Sequence, residues 1–269
     1  MEVSPPILVD FQRNGRTIKG LIDVARNGYL WFLERSKDGS IRFVEGKPYV
    51  YQNVFRSLDP ATGRPDVDPA RKPGTGKRAE FCPGAHGGKT WPPIAFSPQT
   101  RMIYVPANTN LCGAMMGAAE VKYQAGAGFT GTQFGAGPTP TVPGADHYGE
   151  VQAWNVDTGQ RAWTHTYARS PNWGAMLATA GGLVFTGGTS DRKIHAFDAK
   201  SGKLLWEWPL SSGVLAPPTT FLIDGKQYIA VHSGWGGDAA GDQAGINRLH
   251  PGEAPPVPEG GAVWVFALE

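Results

Sequence analysis

The residues of this sequence with the most obvious chemistry are Cys82 and Cys112, with His86 between them. Thiolates and an imidazole are zinc ligands, but a structural zinc site takes four. No fourth ligand stands at a matching spacing, and the cysteines form no CxxC pair. The thiols therefore read either as one disulfide or as two inert buried side chains. Two glycine-rich runs invite a phosphate. Gly126-Ala127-Gly128-Phe129-Thr130-Gly131 fits GxGxxG, but no strand pattern precedes it and no helical period follows, so the dinucleotide context fails. Gly84-Ala85-His86-Gly87-Gly88-Lys89-Thr90 is one residue short of a phosphate loop, and Trp91-Pro92-Pro93 behind it cannot open the required helix smoothly. No G-x-S-x-G elbow is present.

Charge narrows the partners. The net charge is +2, from 25 basic and 23 acidic residues with no basic stripe, which gives no footprint for nucleic acid. No apolar run approaches the ~18 residues of a membrane span. The first residues, Met1-Glu2-Val3-Ser4-Pro5-Pro6, carry neither the basic start nor the apolar stretch of a signal peptide.

The elements that must position any site are written as a repeat. Ala153-Trp154-Asn155-Val156-Asp157-Thr158-Gly159-Gln160-Arg161-Ala162-Trp163 and Ala196-Phe197-Asp198-Ala199-Lys200-Ser201-Gly202-Lys203-Leu204-Leu205-Trp206 both fit A-x-(N/D)-x-x-(T/S)-G-x-x-x-W, starting 43 residues apart. That period suits a four-stranded propeller blade of roughly 40–50 residues. An alternating strand ends at the Asn or Asp, whose side-chain oxygen can accept nearby backbone N–H groups, and Gly supplies φ > 0 for the turn. The next strand carries an indole, so Trp163 and Trp206 are predicted to fill the space between neighbouring blades. Weaker echoes occur at Ser57-Leu58-Asp59-Pro60-Ala61-Thr62-Gly63 and at 32–39. Further strand-like runs lie at 7–11, 17–24, 101–106, 182–186, 227–232 and 262–268. The 37 glycines and 23 prolines favour turns over long helices. The expectation is all-β: about four blades of four-stranded antiparallel sheet across residues 1–269, with long loops at 64–78, 113–149 and 238–261. A small closed propeller competes with an open, partial ring.

Longer runs are more specific. They are Ala25-Arg26-Asn27-Gly28-Tyr29-Leu30-Trp31; Gly87-Gly88-Lys89-Thr90-Trp91 with Ala95-Phe96-Ser97-Pro98; Asn172-Trp173-Gly174-Ala175-Met176 through Phe185; and Ser233-Gly234-Trp235-Gly236-Gly237. In order and spacing they resemble the C-terminal half of PQQ-dependent quinoprotein alcohol dehydrogenases, methanol dehydrogenases included. The resemblance implies about half of an eight-bladed ring holding pyrroloquinoline quinone (PQQ) on its axis, with calcium or a lanthanide beside the quinone. Arg26 matches the basic residue at the reactive carbonyl, with the catalytic part of stabilising negative charge as the quinone is reduced. Trp173 matches an indole lying flat against the cofactor ring. Their plainer readings are a turn arginine and a core tryptophan. Thr90 stands where the family often has a cofactor-contacting asparagine, and it lacks the amide. Trp91 and the backbone of Gly236 and Gly237 are expected to line the same pocket. Cys82 and Cys112 match a family disulfide, which implies an oxidising compartment, the periplasm.

The resemblance also sets out what this chain is expected to lack. The family's metal ligands lie in its N-terminal half, so no metal ligand is assigned here. Its catalytic Asp belongs to a Trp-Asp pair just before the segment matching 3–10. Glu2 is an acid out of that register and is not assigned as the base. The expected function is oxidation of a primary alcohol with electrons passed to a cytochrome c-type acceptor. The chain alone is expected to be inactive until a missing N-terminal half or another chain closes the propeller. The competing expectations are a non-enzymatic cell-envelope scaffold built from the same blade turns and a fragment without activity. A scaffold has no reason to hold both Arg26 and Trp173.

Overall fold

The computed structural model describes residues 4–118, 120, 123, 125–126, 131–134 and 141–267. Its frame is a row of antiparallel sheets. The first blade pairs Ile7–Leu8, Gly20–Val24, Tyr29–Arg35 and Ile41–Pro48. The second pairs Ala95–Ser97, Met102–Asn108, Gly149–Asn155 and Gln160–Tyr167. The third pairs Leu177–Ala178, Leu183–Thr186, Lys193–Asp198 and Leu204–Pro209. The fourth sheet has three strands among the described residues, Thr219–Ile223, Lys226–Trp235 and Gly260–Ala267. The architecture is that of β-propeller blades, about half of an eight-bladed ring, as the repeat and the resemblance implied.

Burial explains the strand sequences. The middle strands lose both faces to neighbouring blades, so Met102–Asn108 and Gly149–Asn155 are buried almost throughout and do not alternate. The outermost strand Gln160–Tyr167 has one face in solvent and does alternate. Successive cores sit between the blades: Ile22, Leu30 and Phe32 meet Ile103 and Val105; Tyr104 and Val151 meet Val184 and Phe197; Phe185 and Ile194 meet Ile229 and Val231.

The repeat's turns form as their chemistry requires. Asn155 Oδ1 accepts the N–H groups of Asp157 and Thr158 at 3.0 and 2.9 Å. Asp198 Oδ1 accepts those of Lys200 and Ser201 at 3.2 and 2.7 Å. Gly159 and Gly202 hold φ of 63° and 72°. Asp59 makes the same turn, but between Phe55–Leu58 and Pro65–Val67, a hairpin outside the blades. Trp163 packs on the third blade's turn as predicted. Trp206 seals its interface only in part: it meets Phe266 edge-on at 5.2 Å and stays 37% exposed.

The predicted loops hold more order than their composition suggested. In 64–78, Pro65–Val67 is a strand and Pro69–Arg71 a 3-10 turn. In 113–149, Gly113–Gly117 pairs with both Arg78–Phe81 and Thr132–Phe134. The glycine motif at 126–131 falls mostly outside the described residues. The largest correction is at 238–261, where Gly237–Leu249 is a 13-residue α-helix. Its buried positions are Ala239, Gln243, Gly245 and Ile246. Helical spacing is present, but mostly small or polar residues fill it, so the apolar period that reveals a helix is absent.

Candidate functional site

One end of the blade row carries the predicted site residues. Arg26 lies in the turn between the strands Gly20–Val24 and Tyr29–Arg35, closed by Gly28 N–H to Ala25 O at 3.1 Å. The segment after Cys82 lies directly on this turn. Gly88 N–H donates to Arg26 O at 3.0 Å, and a Cβ on Gly87 would stand 2.4 Å from that same oxygen. Only glycine permits this approach, and φ of 79° at Gly87 adds a second reason. Arg26 Nη2 donates to Ala85 O at 2.7 Å. Beside it opens a cleft of about 460 Å³, lined by Asp23, Arg26, Asn27, Trp31, Phe81 and Pro83 among others.

The disulfide joins Cys82 to Cys112 and anchors this segment's start. Gly84 N–H adds a bond to Leu111 O at 3.0 Å. The alternatives for the two thiols are thereby resolved in favour of the family's pairing.

Trp173 reaches the same place from the second-to-third blade connection. Asn172 is buried and fully used: its N–H donates to Asn108 Oδ1 at 2.7 Å, its Nδ2 to Glu150 O at 2.8 Å, and its Oδ1 accepts Gly174 N–H at 3.0 Å. Asn108 N–H in turn donates to Gly88 O at 2.7 Å. These two asparagines therefore fix Trp173 relative to the segment that touches Arg26. The indole is 1% exposed. His86 meets it edge-on at 5.5 Å, Trp91 lies 6.5 Å away, and Trp235 and Ala239 share its cluster. No ring face stands open for a flat stacked partner, which departs from the expected role. The buried Nε1 has no acceptor among the described residues. An unpaired buried donor is costly, so this N–H suits a partner that brings a hydrogen-bond acceptor.

Gly236 and Gly237 form the start of the helix Gly237–Leu249, directly after Trp235. Their φ values of 156° and 55° suit glycine. Thr90 is buried, and its carbonyl accepts the buried Lys89 Nζ at 2.9 Å; that ammonium also donates to Ser4 Oγ. Trp91 is 41% exposed at the rim. Arg26 and Trp173 thus both touch the segment 84–91, which carries Thr90 and Trp91, and Gly236 and Gly237 follow Trp235 of the Trp173 cluster. Of these residues only Arg26 lines the cleft beside it; Thr90, Trp91, Trp173, Gly236 and Gly237 do not. Glu2 lies outside the described residues. Among the described residues, no cluster of three or more His, Cys, Asp or Glu side chains is arranged to hold a metal.

Sequence reading missed Asn108 and the actual role of His86. Asn108 ends an otherwise apolar strand, a polar residue where the pattern asks for none. His86 was weighed only as a zinc ligand. Its actual partners are Asp242 Oδ1, 2.9 Å from Nδ1, and Asp238 Oδ1, 3.6 Å from Nε2. The hydrogen bond to Asp242 raises the imidazole's pKa above its ordinary value, against burial and the nearby Arg26 charge.

Residues 64–229 match the family described as glucose/ethanol/alcohol dehydrogenase, beta-propeller domain, under the heading PQQ. The chain is 35% identical over 274 residues to the quinoprotein alcohol dehydrogenase PedE of Pseudomonas putida, covering 97% of this chain and 41% of that protein. It is 35% identical over 283 residues to the lanthanide-dependent methanol dehydrogenase of Methylacidiphilum fumariolicum, covering 99% and 45%. The solved structure of a europium-containing methanol dehydrogenase superposes with a TM-score of 0.83 at 33% identity, over 98% of this chain and 47% of that one. The chain spans less than half the length of these relatives.

Proposed function

Because this chain belongs to the PQQ dehydrogenase β-propeller family, we propose that it is the C-terminal half of a PQQ-dependent alcohol dehydrogenase. The observation that carries the reading is the meeting of Arg26 and Trp173 around one segment, residues 84–91. The bound quinone would supply the oxidant, taking two electrons from a primary alcohol and passing them to a cytochrome c-type acceptor. Arg26 would donate hydrogen bonds to its carbonyl oxygen and favour the charge that develops there. The Trp173 N–H would orient an acceptor on the ring, while Trp91, Thr90 and the backbone at Gly236 and Gly237 would close the pocket. Calcium or a lanthanide, as in the lanthanide-dependent relative, would draw its ligands from outside the described residues, as would the carboxylate base.

An open sheet face supports the need for more blades. Phe221, Ile223, Val263 and Val265 lie on one face of the fourth sheet and are 38–63% exposed. The corresponding faces between the other blades are buried cores. Stacking a complementary half there would cover apolar surface and enclose the axis. The disulfide suits the periplasm.

A dye-linked alcohol oxidation assay with PQQ and calcium or a lanthanide tests this. The chain alone is expected to show no turnover, since absence of the base alone costs ~10²–10⁴-fold. Addition of the N-terminal half of a relative should restore it, and Arg26→Ala in the restored assembly should lower turnover by about 10²-fold or more. Turnover near ~1 s⁻¹ from the chain alone, or an Arg26→Ala assembly as active as its parent, would overturn the assignment.

A further inference from the structure

We propose that His86 is a positioning residue of this site: it clamps the segment after Cys82 to the helix Gly237–Leu249 and holds the Trp173 indole in place between them. Three contacts carry the argument. Nδ1 of His86 lies 2.9 Å from Asp242 Oδ1, a bond between residues 156 apart in sequence. Nε2 lies 3.6 Å from Asp238 Oδ1, one turn earlier on the same helix. The ring stands edge-on to Trp173, 5.5 Å between centroids at 76°. The adjoining Ala85 carbonyl holds Arg26 Nη2. One imidazole therefore connects the helix, the buried indole and the backbone that holds the guanidinium. The helix has few other side-chain ties to this segment: its buried positions are Ala239, Gln243, Gly245 and Ile246, and Gln243 bonds to Arg169 O instead.

The clamp depends on protonation. The charged groups facing the imidazole are Asp242 and Asp238 from the helix and Arg26 from the first blade. Asp242 favours the imidazolium most, and Arg26 and burial oppose it. Because the folded-state pKa is raised, the clamp is complete below the ordinary imidazole range and is lost as pH rises through the elevated value. This inference uses the quinone reading only to say what the site binds.

Tryptophan fluorescence followed from pH 5 to 9 tests it, because a charged imidazole against an indole edge alters that indole's emission. The chain should show a titration with its midpoint above the ordinary imidazole value. His86→Gln and Trp173→Phe should each remove its amplitude, and Asp242→Asn should lower its midpoint. His86 is 36% exposed at its side chain, so His86→Gln should fold, and Asp242→Asn provides an independent check. A titration that persists in His86→Gln, or a midpoint unmoved in Asp242→Asn, would sink the clamp. PQQ added at each pH separates this from the cofactor reading. If PQQ leaves the emission unchanged while the titration follows His86 and Asp242, the clamp stands and the cofactor reading fails.

Discussion

The same turn is docked in two different ways. At the second blade's turn, ions grip Asn155–Gly159 from the separate hairpin Phe11–Arg13 and Arg16–Ile18 and from Arg101, in the turn before the second blade's strand Met102–Asn108. Arg101 makes two bonds of 2.8 Å to the Asp157 carboxylate, and Arg13 donates to Val156 O at 2.8 Å while pairing with Glu45 at 3.0 Å. At the third blade's turn, Asp198–Gly202 rests on one indole. Trp163 Nε1 donates to Ala199 O at 3.2 Å, and its ring lies under Gly202. The two turns share backbone shape and internal bonding, so the motif specifies the turn and leaves its docking partner open. The next interface shows a third outcome. Trp206 lies in a groove of about 350 Å³ with Phe266, Ile229 and Leu183, half covered.

The glycines should separate the two docking modes most strongly. Gly202 has φ of 72°, and a Cβ there would meet the Trp163 ring at 2.5 Å. Gly202→Val should cost about 4 kcal/mol, since strain and an unyielding ring combine. Gly159 has φ of 63°, but its nearest contact is the end of Arg13 at 2.6 Å, which can swing aside. Gly159→Ala should cost only the backbone term, about 1–2 kcal/mol. Urea unfolding of both variants gives the comparison, and equal losses would mean that the aromatic seat is no stiffer than the ionic one.

Next in size is the pair of tryptophans. Trp163 is half-buried and hydrogen-bonded, with Tyr104 at 5.8 Å and Phe197 at 6.3 Å. Trp163→Ala should lose about 3 kcal/mol. Trp206→Ala should lose about 1 kcal/mol, because much of that indole already faces water. A complementary half that covers the open face of the fourth sheet should leave both losses unchanged, because Trp206 packs on Phe266, on that sheet's other face. Thermal melts with and without the added half measure this.

How far this could be read in advance follows from distance along the chain. The blade turn is local, seven residues with a side-chain oxygen and a glycine at fixed places, and the sequence displays it openly. The ionic seat is not local, since Arg13, itself paired with Glu45, and Arg101 reach the Asp157 turn from far along the chain and no spacing marks them as partners. Trp206 was expected to be covered because it repeats Trp163, but the repeat does not describe the neighbour that must cover it. For the candidate site, Arg26 and Trp173 were singled out by resemblance alone. The Asn108–Asn172 exchange and the His86–Asp242 bond join residues 64 and 156 apart, and only the stacked blades bring them together. The helix Gly237–Leu249 was hidden because only Ile246 among its buried residues is large and apolar, the others being Ala239, Gln243 and Gly245.

The smallest expected effect tests the ionic seat by its pH dependence. Hydrogen bonds from Arg101 hold the Asp157 carboxyl below the ordinary carboxylate value, and the Gln12 N–H at 3.0 Å adds to this. A lowered folded-state value means that the stabilisation is complete above the ordinary carboxylate pKa of about 4 and is lost as pH falls through the lowered one. The Arg101 side chain is 37% exposed, so screening limits the pair to about 1 kcal/mol. Asp157→Asn should therefore cost about that much at pH 7, less in high salt, and progressively less below pH 4. The third blade has Lys200 at the matching place, with Trp163 rather than an ion as its turn's seat, so Lys200→Asn should change stability by no more than a few tenths of a kcal/mol at any of these pH values. Urea midpoints for both variants at pH 3, 5 and 7, each with and without 1 M salt, read the difference. A pH-independent loss at Asp157, or an equal pH-dependent loss at Lys200, would show that both turns rest on packing and that the ions are ornament on the first.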